Sequence, residues 1–244
     1  MPPTNYKTVF KADYKPRLDF YSSIYSIASE LPDYPDWLTT GLAVTLENLE
    51  DWCSFSLSHN SFMYIREIQK DNPKHGDEKR IHAILDTVVP KLEIETYQRF
   101  GLRCWYLSSV TMKFEELVEL VSERFLVDNK DIRQGICPSP IDVAYAVHFM
   151  DNKFRVQLRV GPLQRIEMEQ QFVPNRNTNI PVNKRFLPPE ELFSGLPEVS
   201  LLMDIDVSKT DVKSKEMPEA YVQAQVIQQK LSQNIARYVF GLKE

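Results

Sequence analysis

This sequence predicts an α+β fold: a mostly antiparallel sheet, or sheets, with helices packed on one face. Two observations carry that expectation. Apolar residues alternate without a miss through 141–149 and back through 154–160, the period of half-buried strands. Three other stretches, 81–89, 114–125 and 221–239, repeat apolar residues at three- and four-residue steps, the period of amphipathic helices. Strand pair, helix, strand occurs twice in loose outline. The chain is therefore expected as two similar halves, an N-terminal α+β half over 1–130 and a C-terminal half over 131–244, or as one continuous domain. Its 244 residues, 43% hydrophobic and 11% aromatic, are enough for a packed core in either case.

In order along the chain, Leu18, Tyr21, Ile24, Tyr25 and Ala28 have helical spacing that stops at Leu31-Pro32, so the opening stretch reads as a helix. A loop over 33–36 leads to a strand over 40–46, broken by Asn48-Leu49-Glu50-Asp51, a polar and exposed break. Residues 52–58 alternate and 62–65 follow after His59-Asn60, which reads as a hairpin. Asp77 opens a helix closed near Pro90. The strand 97–106 comes next, then a helix over 113–125 whose Glu115, Glu116, Glu119 and Glu123 form a solvated face. The hairpin over 141–160 turns at Asp151-Asn152. Asparagine and proline crowd 173–197, a long loop with one helical turn at 189–193. A strand over 199–207, a charged loop to Met217 and a helix begun by Pro218 complete the chain.

Composition excludes several functions. A net charge of −5 argues against coating nucleic acid through bulk electrostatics, although a local basic patch remains compatible with it. Met1-Pro2-Pro3-Thr4 does not begin a signal peptide and no apolar run is long enough to span a bilayer, so the expected location is cytoplasmic with no membrane partner. Cys53, Cys104 and Cys137 have no C-x-x-C pairing and read as reduced core or edge residues. His59, His75, His82 and His148 show no metal-ligand spacing. No glycine-rich phosphate loop and no G-x-S-x-G elbow occurs, so no cofactor and no catalytic residue is expected.

The candidate site centres on 97–106. In a strand, Arg99 and Arg103 share a face with Gly101 between them and Tyr97 and Trp105 at the ends, which leaves room for a backbone, a carboxylate or a phosphate to approach. Asp204 and Asp206 alternate on the late strand. They read as ion-pair partners of Arg99, Arg103, Arg155 or Arg159, or as two ligands of a metal-dependent phosphoryl-transfer site. His148, Arg155, Gln157 and Arg159 lie on the polar face of the clear hairpin. Arg103, followed by Cys104-Trp105-Tyr106, is expected to be the more deeply buried arginine.

The strand Arg99-Phe100-Gly101-Leu102-Arg103 and the late strand 201–206, which leads into a long terminal helix, resemble a sporadically distributed, uncharacterised prokaryotic family. Its members carry an R-x-G-L-R-Y-x-N strand and a late L-D-x-D strand. The resemblance runs loosely from Trp52 onward. Cys104-Trp105 departs from the motif after the second arginine, and Gln225 stands near where the family often has histidine. The resemblance implies a shared fold and no particular chemistry. Patchy distribution is associated with accessory components such as those of genome-defence systems. The leading expectation is a non-enzymatic binding or scaffold module working with a protein partner. A nucleotide or anion sensor on the Arg99/Arg103 face and a metal-dependent enzyme using Asp204 and Asp206 are the alternatives.

Overall fold

A computed structural model of the chain describes residues 2–40, 43–67, 76–125, 140–172 and 195–241. Within them the strands are β1 (Thr4–Tyr14), β2 (Asp36–Thr40), β3 (Ala43–Asn48), β4 (Cys53–Ser58), β5 (Ser61–Arg66), β6 (Thr96–Ser109), β7 (Tyr145–Asp151), β8 (Phe154–Gln164) and β9 (Val199–Lys213). The helices are α1 (Phe20–Ser29), α2 (Asp77–Lys91), α3 (Phe114–Phe125), α4 (Arg165–Phe172) and α5 (Met217–Phe240). All nine strands form one open antiparallel sheet in the order β2-β3-β4-β5-β1-β6-β9-β8-β7. The molecule is the α+β fold that the two periods predict.

Alternation divides each strand between two environments. One sheet face presents Phe10 and Ala12 of β1, Phe100 and Leu102 of β6, Met203, Ile205 and Val207 of β9, and Phe154, Val156 and Leu158 of β8, all buried in one core. Helices α1, α2, α3 and α5 supply the other side of that core through residues such as Phe20, Ile84, Val121 and Tyr221. Helix α5 runs along β9 and β6 with Tyr221, Ala224, Ile235 and Val239 buried. Its Gln228 side chain donates hydrogen bonds to the carbonyl oxygens of Leu102 (2.6 Å) and Ile205 (3.0 Å), pinning the helix across those two strands. Short α4 belongs to the opposite face. Its Met168 packs with Leu107, Leu163, Leu196 and Leu202 at one end of the sheet.

Several expectations are corrected. The opening stretch is not all helix: β1 is its first element and lies in the middle of the sheet, between β5 and β6. Of the expected stripe, Ala28 is buried and Ile24 packs on the core, but Leu18, just before α1, and Tyr21 and Tyr25 within it are exposed, while Phe20 and Ile27 are buried instead. The helix is turned by Phe20, whose ring has the larger apolar surface to hide in the core. The break at the end of β3 is exposed only at Glu50: Asn48 and Asp51 are buried, because Asn48 donates to the Asp33 carbonyl and accepts from the Asp51 amide, so these polar groups are satisfied internally. The first strand of the clear hairpin begins at Tyr145, leaving Ile141 exposed. The turn falls one residue later than expected, at Asn152-Lys153, with Asn152 in the left-handed region at φ 54°. Strand β9 continues through the expected charged loop to Lys213, since β6 pairs with it along its whole length. Cys137, His75, Asn175 and the turn expected at 189–193 lie outside the described residues.

Charged groups also sit on the helix side. The Asp77 carboxylate, at the start of α2, accepts from Arg66 Nε (2.8 Å), Thr8 Oγ1 (2.7 Å) and the Tyr64 hydroxyl (2.7 Å). Burial alone would raise the pKa of Asp77. The Arg66 guanidinium and these hydrogen bonds outweigh it and hold the carboxyl below its ordinary value. Arg80 pairs with Asp51, with 1% and 6% of the two side chains exposed.

Candidate binding face

The face away from the main core is polar from β1 to β7. Strand β6 presents Arg99, Gly101, Arg103 and Trp105. Register places Arg103 opposite Asp206, Trp105 opposite Asp204 and Gly101 opposite Ser208 on β9, with Arg159 opposite Asp204 and Arg155 opposite Ser208 on β8. Lys11 and Asp13 of β1 flank Gly101 and Arg99 on the other side and pair with each other at 2.9 Å. The alternation that buries one half of these strands brings eight charged side chains onto three adjacent strands and β1.

The ion pairs are diagonal rather than directly across the ladder. Arg103 holds Asp204 with two hydrogen bonds, Nε to Oδ1 at 2.8 Å and Nη2 to Oδ2 at 2.6 Å. Arg99 approaches Asp206 more loosely, with Nη2 3.6 Å from Oδ2. Beside Gly101 a small hollow of about 130 Å³ remains, edged by Arg99, Arg103 and Asp206, and a Cβ there would make only ordinary contacts, 3.4 Å from Asp206 Oδ1 and 3.8 Å from Arg99 Nη2. Burial pushes the Asp206 carboxyl above its ordinary pKa and Asp204 adds to the shift, against the lowering effect of Arg99, Arg103 and Arg155.

Arg103 is not buried as its apolar neighbours led us to expect. Its side chain is 47% exposed and that of Arg99 50%, while Asp204 and Asp206 are 14% and 21% exposed. Cys104 explains the difference: it is the residue that turns inward, buried, with its thiol pushed up to about 12 by desolvation, so its neighbour Arg103 must turn outward. Tyr97 also departs from expectation. A register shift between β1 and β6, at Asp13/Tyr14, places Tyr97 and Phe100 rather than Tyr97 and Arg99 on one side, and Tyr97 is fully buried, edge-on to Phe62 at 6.0 Å. Trp105 stays on the polar face, with Lys7 Nζ 4.8 Å and the Arg103 guanidinium carbon 5.4 Å from its ring. Beyond Trp105, α4 and Leu196 cover that end of the face.

Arg155 and Arg159 have no carboxylate within ion-pair distance among the described residues, although Asp204 and Asp206 were expected to serve them as readily as the β6 arginines. Both oxygens of Asp204 are engaged by Arg103, and no group of three or more His, Cys, Asp or Glu gathers around a point among the described residues. A two-aspartate metal site has no third ligand there. His148 is exposed on the same face, His82 lies edge-on to Tyr221 and Ser58 is hydrogen-bonded within its own turn. Sequence reasoning passed over Lys153, Lys7 and Lys11. Lys7 and Lys11 alternate with Thr8, Phe10 and Ala12, a period-two signal that identifies β1 and both lysines together.

No protein-family model matches the chain, and no curated protein matches it. No helix among the described residues is long and apolar enough to cross a membrane.

Proposed function

We propose that this chain is a non-enzymatic binding module that receives a protein partner on the open face of its sheet. The observation that carries this reading is the asymmetry of the sheet: four helices cover one face, and the other carries the exposed side chains of Arg99, Arg103, Arg155 and Arg159. Nine strands at about 4.8 Å spacing make a surface roughly 38 Å wide, the scale of a macromolecular contact. Arginine and tryptophan together are the residues that most often dominate such contacts, and Trp105 is half-buried between two cations. The net charge of −5 favours a protein partner over nucleic acid. The resemblance to a sporadically distributed family supports an accessory role, such as in genome defence.

The test is a photo-crosslinking amino acid placed at Arg159, on the open face, or at Glu123, on the exposed side of α3, in cells of the source organism. The reading predicts one discrete, nuclease-resistant protein adduct from position 159 and none from 123. Identical adducts from both positions, or none from 159, would contradict it.

A further inference from the structure

Where β6, β9 and the β7–β8 hairpin meet, a cleft of about 350 Å³ opens at the lower edge of the polar face. Four of its lining residues, Arg99, Lys153, Arg155 and Lys209, are basic and none is acidic, in a chain whose acidic residues outnumber its basic ones 34 to 29. Arg99 is committed elsewhere only weakly, 3.6 Å from Asp206, whereas Lys209 turns its Nζ to the core side of the sheet, 5.4 Å from the Phe154 ring centre, which leaves three cations at the cleft. Arg155 and Lys153 have no carboxylate within ion-pair distance among the described residues, although Arg155 lies near enough to Asp206 to favour its ionised form. Like charges so placed repel one another until an anion enters.

The uncharged groups of the cleft narrow the chemistry. Ser208, buried, and Thr210 add hydroxyl donors from β9 beside the guanidinium of Arg155, which faces Ser208 across the ladder. An acceptor-rich tetrahedral anion answers this set of donors better than a carboxylate, because it meets a planar guanidinium fork and the separate hydroxyl and ammonium donors at once. Met150, 63% exposed, is the one wholly apolar side chain lining the cleft. The volume is near the small end of ligand sites. We infer that this cleft binds a small phosphomonoester, holding its phosphate with Arg155, Lys153 and Arg99 and its apolar body against Met150. The cleft shares Arg99 and Arg155 with the open face, but its ligand is small and can bind whether or not a protein partner sits at Arg159.

Calorimetric titration of the whole protein with phenyl phosphate, inorganic phosphate and phenol tests the assignment. Phenyl phosphate is expected to bind saturably and more tightly than inorganic phosphate, phenol not at all, and raised salt to weaken both phosphates. Arg155→Gln and Lys153→Gln, both at exposed positions and compatible with folding, should each reduce phenyl phosphate affinity at least tenfold; Lys230→Gln, on exposed α5 surface, should leave it unchanged. Absence of saturable phenyl phosphate binding, or equal affinity in wild type and a folded Arg155→Gln protein, would overturn the inference. Neither result bears on crosslinking at Arg159.

Discussion

Arginine–aspartate pairs occur on both faces of this sheet, and the environment of each pair separates structural work from availability. On the helix side Arg80 with Asp51 and Arg66 with Asp77 are enclosed by the core. On the open side Arg103 with Asp204 has equally good geometry, yet nearly half of the Arg103 side chain meets water. Desolvation sets the difference. A charge whose partner is removed inside the core has no water to turn to, whereas Asp204, when Arg103 is removed, can regain hydration from the open face.

The largest effect is expected where burial is most complete. Arg80→Ala leaves the Asp51 carboxylate without its guanidinium in a site 6% exposed, and should lower stability by about 3–5 kcal/mol in chemical denaturation. A loss below 1 kcal/mol would show that Asp51 is relieved by other means and would erase the contrast between the faces.

A smaller, pH-dependent effect is expected at Asp77. Its folded pKa lies below the unfolded value of roughly 3.9, so ionised Asp77 contributes stability above that value and the contribution is lost as pH falls through the folded pKa. Asp77→Asn should therefore cost about 2–3 kcal/mol near pH 7 and progressively less below pH ~4, as the wild type approaches it. Asp206 acts in the opposite direction: its raised pKa means that its contribution falls as pH rises from the unfolded value through the folded one. Denaturation of wild type and Asp77→Asn from pH 7 to pH 3 measures the convergence. Parallel curves across that range would show that Asp77 does not carry the acid-side slope.

The legible parts of the fold were those in which a single period ran long enough to dominate. Helices α2, α3 and α5 and the β4–β5 and β7–β8 hairpins each declare themselves this way. Strand β1 is hard to read from sequence because its alternation of Thr8, Phe10, Ala12 and Tyr14 runs into the helical spacing of α1 only six residues later. Helix α4 shows little apolar stripe, since Arg165-Ile166-Glu167-Met168 offers only Met168 to a small cluster. At the site, alternation placed Arg99 with Arg103 and Asp204 with Asp206, each pair on one side of its own strand, and charge pairing joined the two on a common face. It did not show which arginine meets which aspartate, because that depends on the register of strands about a hundred residues apart, and the pairs formed diagonally. Tyr97 was misplaced for a related reason: a single irregularity against β1 reverses the side on which it emerges.

Thermal and chemical melting of Arg103→Ala beside Arg80→Ala compares the two faces most directly. Arg103→Ala is expected to stay within about 1 kcal/mol of wild type, because its ion pair is half-exposed, while Arg80→Ala loses several. A loss at Arg103→Ala as large as that at Arg80→Ala would mean that the open-face arginines hold the fold together, and would contradict the assignment of that face to binding.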